Sequence, residues 1–87
     1  MQKMQTIQEL GQALAERRKA LGLKQGIVAE QSGLSQALLS RLERGRLTEF
    51  GTRKLMALLA VLGMELSFTE LGMAGTLDEL RRERGGA

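Results

Sequence analysis

Residues 23–46, LKQGIVAEQSGLSQALLSRLERGR, constrain the fold of this chain more than any other stretch. Two short amphipathic runs meet across Ser32-Gly33-Leu34. Val28 and Ala29 before the break, and Leu34, Leu38, Leu39 and Leu42 after it, recur at the three- and four-residue steps that place side chains on one helical face. Both runs can therefore share one core. Gly33 stands where a chain leaving a helix most easily turns left-handed, a conformation that a Cβ opposes. Ser35 has a hydroxyl suited to accept from the free amides of a following first turn. Gly45, preceded by Arg44, supplies the stop. The spacing predicts two helices and a tight turn, the second helix running from about Gln36 to Arg44.

A helix with Leu38, Leu39 and Leu42 inward turns Gln36, Ala37, Ser40, Arg41 and Arg44 outward. That face is short, polar and cationic. Gln can pair with the edge of adenine and Arg with that of guanine, and Ala or a small hydroxyl lets a helix approach the major groove. The competing account is a solvated helix face with Arg41 or Arg44 paired to a nearby Glu.

AEQSGLSQALLSRLERG resembles the helix-turn-helix of the phage repressor and Cro group, the XRE family. Ala29, Gly33, Ser35, Leu39, Ser40, Leu42, Glu43 and Gly45 match its pattern. In such motifs the second helix lies in the major groove and the first crosses the backbone. The resemblance implies that Gln36, Ala37, Ser40 and Arg41 face bases and that Gln25 contacts a phosphate. Ser35, Arg44, Arg46, Arg53 and Lys54 complete the expected phosphate-binding set. The chain departs from the family twice. Lys24 stands where a capping Ser or Thr is usual, and Gly26 sits inside the first helix of the motif, where glycine costs about 1 kcal/mol relative to alanine.

Eighty-seven residues allow one domain, and 43% apolar but only 2% aromatic content predicts packed helices with a core of Leu, Met, Ala, Val and Ile. Without Pro, nothing interrupts them. Without Cys or His the chain has no disulfide, thiol nucleophile, imidazole base or common zinc site. The start, MQKMQTIQEL, lacks the order of a signal peptide, and no run is long enough to span a bilayer, so a cytoplasmic protein is expected. The net charge of +3 is uneven: residues 17–54 carry nine cations and three acids, a balance of +6, and the remainder carries −3. Positive charge gathered around the motif is the footprint of a phosphate-binding face.

Taken in order, Thr6 and Glu9 form a capping box for a first helix reaching about Leu21, with Ile7, Leu10, Ala13, Leu14, Ala20 and Leu21 inward and Gly22 as stop. Arg17, Arg18 and Lys19 suit the dipole at its end and also a DNA backbone, and both can hold together. Phe50 is expected in the core. Thr52 is expected to cap a fourth helix with Leu55, Leu58, Leu59 and Leu62 inward and Gly63 as stop. Arg53 and Lys54, at that helix's positive end, suit a phosphate.

Residues 64–70 then alternate, Met64, Leu66 and Phe68 against Glu65, Ser67 and Thr69, which reads as a strand that a second copy could pair. The alternatives are an extension of the fourth helix or a coil. A two-fold strand pair would make a homodimer on a palindromic operator. From Leu71 a glycine-bearing linker leads to a second T-x-x-E box and a short helix, TLDELRRER, with a narrow edge of Leu77 and Leu80.

The expected fold is all-α. A four-helix helix-turn-helix domain spans 1–63, a dimerisation strand 64–70, and a tail with a short helix 71–87. The expected function is a sequence-specific DNA-binding regulator and autorepressor without cofactor or metal. The strand and tail resemble the HipB-type antitoxin subgroup, which implies a cognate toxin as partner. The alternative is a protein-interaction module that keeps the motif as scaffold. An enzyme is not expected, since Asp78 is the sole aspartate and no phosphate loop or nucleophile with its base is present.

Overall fold

The structure is a computed structural model that describes residues 4–71. Its first helix, α1 (Ile7–Ala20), begins as the capping box predicts: the Thr6 hydroxyl accepts from the Glu9 amide at 3.1 Å. The returning bond shifts by one residue, because the Glu9 carboxylate accepts from the Gln5 amide at 3.4 Å. Three further helices follow, α2 (Gln25–Ser32), α3 (Gln36–Glu43) and α4 (Thr52–Val61). α3 packs on α1 and α2, and α2 also packs on α4.

All four helices end the same way. At α2 the chain turns left-handed at Gly33 (φ 72°), where the Gly33 amide donates to the Glu30 carbonyl and the Leu34 amide to the Ala29 carbonyl. These two bonds satisfy carbonyls that the helix itself cannot, in a conformation cheap only for glycine. Gly22, Gly45 and Gly63 close α1, α3 and α4 with the same pair of bonds. Each glycine expected to stop a helix does so.

Leu14, Val28, Ala29, Leu34, Leu39, Leu42, Leu47, Leu58, Leu59 and Leu62 form one buried cluster, with Leu38, Phe50 and Leu55 partly buried against it. Burial of leucines this complete stabilises by about 1.5–3 kcal/mol each relative to exposure. The inward stripe of α1 stops earlier than expected. Leu21 is 43% exposed and Ala20 is exposed, because the helix ends at Ala20 and the Gly22 turn carries Leu21 off the apolar face. Ser32 closes α2 rather than opening the turn, its buried hydroxyl donating to the Val28 carbonyl at 2.6 Å. Thr52 does not cap α4. Gly51 has the extended N-cap conformation (φ −64°, ψ 136°), no side chain caps the helix, and Thr52 is its first residue.

The strand expected over residues 64–70 is not formed among the described residues. After Gly63 the segment belongs to no regular element, and Leu66 (48% exposed) and Phe68 (93% exposed) face solvent. The physical reason is the missing ladder: no other strand exists among the described residues to satisfy its amides and carbonyls. The expected helix at 76–84 lies outside the described residues.

α1 and α3 meet at a polar and small face. Gln8, Gly11 and Arg18 share one side of α1 by spacing, and all three meet the stretch from Leu42 to Leu47. Gln8 Nε2 donates to the Leu47 carbonyl at 3.0 Å. Gly11 is buried, and a Cβ placed there would overlap the Leu42 carbonyl. Gly11→Ala is therefore expected to cost about 1–3 kcal/mol or more, lowering the melting temperature by about 4–8 °C per kcal/mol. Thermal denaturation followed by circular dichroism checks this, with exposed Gln12→Ala as the neutral control; an unshifted Gly11→Ala would mean the crossing is looser than drawn.

Candidate nucleic-acid interface

α3 is held from behind by an ion pair. Arg18 Nε and Nη2 donate to the two Glu43 oxygens at 2.7 and 2.8 Å, a bidentate fork, with the side chains only 12% and 6% exposed. Arg18 Nη1 also donates to the Leu23 carbonyl at 2.8 Å, and Gln25 Nε2 donates to Glu43 Oε1 at 3.0 Å. The ion pair thus gathers the end of α1, the loop after it, the start of α2 and the end of α3. The hydrogen bonds it donates to Glu43 hold the Arg18 guanidinium above its ordinary range against the desolvation that opposes them. A raised cation contributes stability that is present below its unfolded value and lost only as pH rises through the folded one. For Arg18 that loss falls in alkali, so its guanidinium keeps its charge in the pair at neutral pH.

This network changes the expected roles of two residues. Arg18 is an internal tie, its guanidinium bonded to Glu43 and the Leu23 carbonyl. Gln25, expected on a phosphate, is half-buried and its amide is directed to Glu43. Arg17 is likewise turned inward, its Nε donating to the Leu62 carbonyl at 3.0 Å at the end of α4. The helical spacing of Gln8, Gly11 and Arg18 puts a polar stripe on α1, but nothing in that spacing names the carbonyls and the carboxylate it meets.

With Arg17 and Arg18 so used, the other cations of the basic region, Lys19, Lys24, Arg41, Arg44, Arg46, Arg53 and Lys54, are all exposed. Glu43 is committed to Arg18 and is not the partner of Arg41 or Arg44. Arg44 instead folds back, its Nε donating to the Ser40 carbonyl at 3.3 Å. Of the expected base readers Gln36, Ala37 and Arg41 are exposed and Ser40 is half-buried. Ser35 is exposed, and its hydroxyl oxygen accepts from the Leu38 amide at 3.1 Å as the N-cap of α3. The hydroxyl proton remains available to an acceptor such as phosphate.

Two contacts bring neighbouring helix starts to this face. Gln36 lies beside Gly26 in the first turn of α2, close enough that a Cβ on Gly26 would sit 3.3 Å from Gln36 Oε1. On the other side, Leu38 of α3 and Gly51 and Lys54 at the start of α4 line one open surface hollow with Glu49 and Phe50. Arg53 and Lys54 occupy the first turn of α4, whose amides no side chain caps, so positive partial charge and two cations coincide there. Glu49 is the opposing charge in that hollow. Met64, Leu66 and Phe68 contribute nothing to this face; Met64 packs against the core and the other two are exposed.

Two short helices joined by a left-handed glycine turn, the second exposing a polar face flanked by cations, define a helix-turn-helix protein. A family model described as a helix-turn-helix domain matches residues 2–69, and the chain belongs to that family. The match runs past α4 through most of the described segment after Gly63. A search of the curated proteins found no match. No helix among the described residues is long and apolar enough to cross a membrane.

Removing either partner of the Arg18–Glu43 pair strands a buried charge. Arg18→Ala and Glu43→Ala are each expected to lose about 3–5 kcal/mol, whereas the double variant should lose clearly less than their sum. Urea unfolding of the three variants reads this directly, and strict additivity would show that the two groups do not act as a pair.

Proposed function

We propose that this chain is a sequence-specific DNA-binding transcriptional regulator that represses its own operon from the cytoplasm. It is a binding protein, not an enzyme, and uses neither cofactor nor metal. The single observation that carries the reading is the outward face of α3: Gln36, Ala37 and Arg41 are exposed, and the acid nearest in sequence, Glu43, is turned inward onto Arg18. In this reading α3 enters the major groove, Gln36 and Arg41 hydrogen-bond base edges, and Ala37 and Ser40 permit close approach. Ser35, Arg44, Arg46, Arg53 and Lys54 contact phosphates. Gln25 is not placed in this set, since its side-chain amide serves Glu43.

The proposed assembly is a homodimer in which residues 64–70 of two copies pair antiparallel and set two copies of α3 against a palindromic operator. Its support is the exposure of Leu66 and Phe68 and the period-two pattern of the segment. The antitoxin role implied by the subgroup resemblance extends this proposal by one partner, a cognate toxin bound through the tail. A scaffold without DNA specificity is the competing reading, and it predicts no preference for any duplex even at low salt.

The test is binding to DNA upstream of the chain's own gene, competed with random duplex across a salt series. Arg41→Ala is expected to cost about 1–3 kcal/mol on the specific site and relax preference at one base pair. Lys54→Ala should weaken all duplexes alike and lower the salt slope by about 0.9. Equal losses on specific and random DNA at Arg41 would remove it from base reading. For the assembly, Leu66→Pro removes a ladder donor and is expected to sediment as a monomer; a persistent dimer would place the interface elsewhere.

A further inference from the structure

Gly26 is the residue of α2 that the motif does not explain. Glycine is a poor helix former, and Gly26 is not among the residues with positive φ, so its backbone does not require it. What its missing side chain provides is room. A Cβ on Gly26 would lie 3.3 Å from Gln36 Oε1 and 3.7 Å from Gln36 Cδ, and no other atom beyond its local chain comes within 4 Å. The obstruction thus falls on one group, the carboxamide of the first residue of α3. That group ends a flexible stem, so a side chain at position 26 would be accommodated by turning the carboxamide, not by moving a helix.

We propose that Gly26 is a positioning residue for base reading: it lets the Gln36 carboxamide lie against the start of α2, in the orientation that presents it to the adenine of an A·T pair. The inference rests on the DNA-binding function proposed above and narrows it. A carboxamide reads adenine with both its ends, Oε1 accepting from N6 and Nε2 donating to N7, and so only when its plane is aligned with the base. With position 26 empty, the carboxamide can take up that alignment against α2 without a clash. An alanine at position 26 improves the helix and disturbs the reader.

The test uses the full chain and a randomised duplex library. Wild type, Gly26→Ala, Gln36→Ala and the double variant are compared for thermal stability, for affinity on the site that wild type selects, and for the sequences each selects. Gly26→Ala is expected to melt at or above the wild-type temperature, as alanine propensity requires. It should lose about five-fold or more on the selected site, keep its affinity for random duplex, and relax the same A·T position that Gln36→Ala relaxes. In the Gln36→Ala background it should add no further loss, because its effect passes through Gln36. Gly26→Ala selecting the wild-type sequence with undiminished affinity overturns the proposal, as does a full additional loss in the double variant. A lowered melting temperature with equal losses on both duplexes also overturns it, assigning Gly26 to packing. If wild type itself selects no sequence, the DNA-binding function fails and the inference falls with it; selection by wild type separates the two failures.

Discussion

The bidentate bond between Arg18 and Glu43 determines how α3 is presented. Glu43 lies at the end of α3 and Arg18 near the end of α1, and the Gln25 amide and Leu23 carbonyl complete the same network. With both charges withdrawn from water, each depends on the other, and the geometry tolerates little slack. At the opposite end of the contact Gly11 brings the backbone of α1 against the Leu42 carbonyl, and Gln8 holds the Leu47 carbonyl. The end of α3 and the loop after it are thereby fixed at several points. The front is left with short, polar and cationic side chains and no structural duty beyond the Ser35 cap.

That division of labour sorts the cations. Arg17 and Arg18 face inward onto the Leu62 carbonyl and Glu43. The exposed remainder therefore describes the external field of the domain better than the sequence balance does. Once Glu43 is neutralised by Arg18, the acids left exposed in the same region are Glu30 and Glu49. Glu49 sits in the hollow with Lys54, which moderates the positive character of that corner while the α3 face keeps its own.

Helix ends were the most legible part of the sequence. Gly22, Gly33, Gly45 and Gly63 each stop a helix, because a left-handed residue is a local requirement that one position can announce. The leucine steps of α3 and α4 also specified the core. The polar side of α1 was not legible in the same way: the partners of Gln8, Gly11 and Arg18 lie between Leu42 and Leu47, far off in sequence. Leu21 was misjudged by extending a periodic stripe past the turn that ends it. Thr52 was taken for a cap on residue type, whereas the extended φ and ψ that define a cap belong to Gly51. Residues 64–70 show the limit of alternation, which specifies which side chains share a face but not where a hydrogen-bonding partner comes from. On the candidate face, exposure of Gln36, Ala37 and Arg41 followed from the helix period, while the inward turn of Gln25 depended on a contact eighteen residues away in sequence.

The chain has two phenylalanines and neither tryptophan nor tyrosine, and the fold separates the two rings. Phe50 packs against the core beside Leu38 and Lys54, and Phe68 stands 93% exposed in the extended segment. Their aromatic resonances are therefore a built-in pair of reporters without crowding from other rings. An event at the corner between α3 and α4 perturbs the Phe50 signals, and an event that covers the extended segment perturbs those of Phe68, so occupancy of the two surfaces can be followed separately in one unlabelled sample.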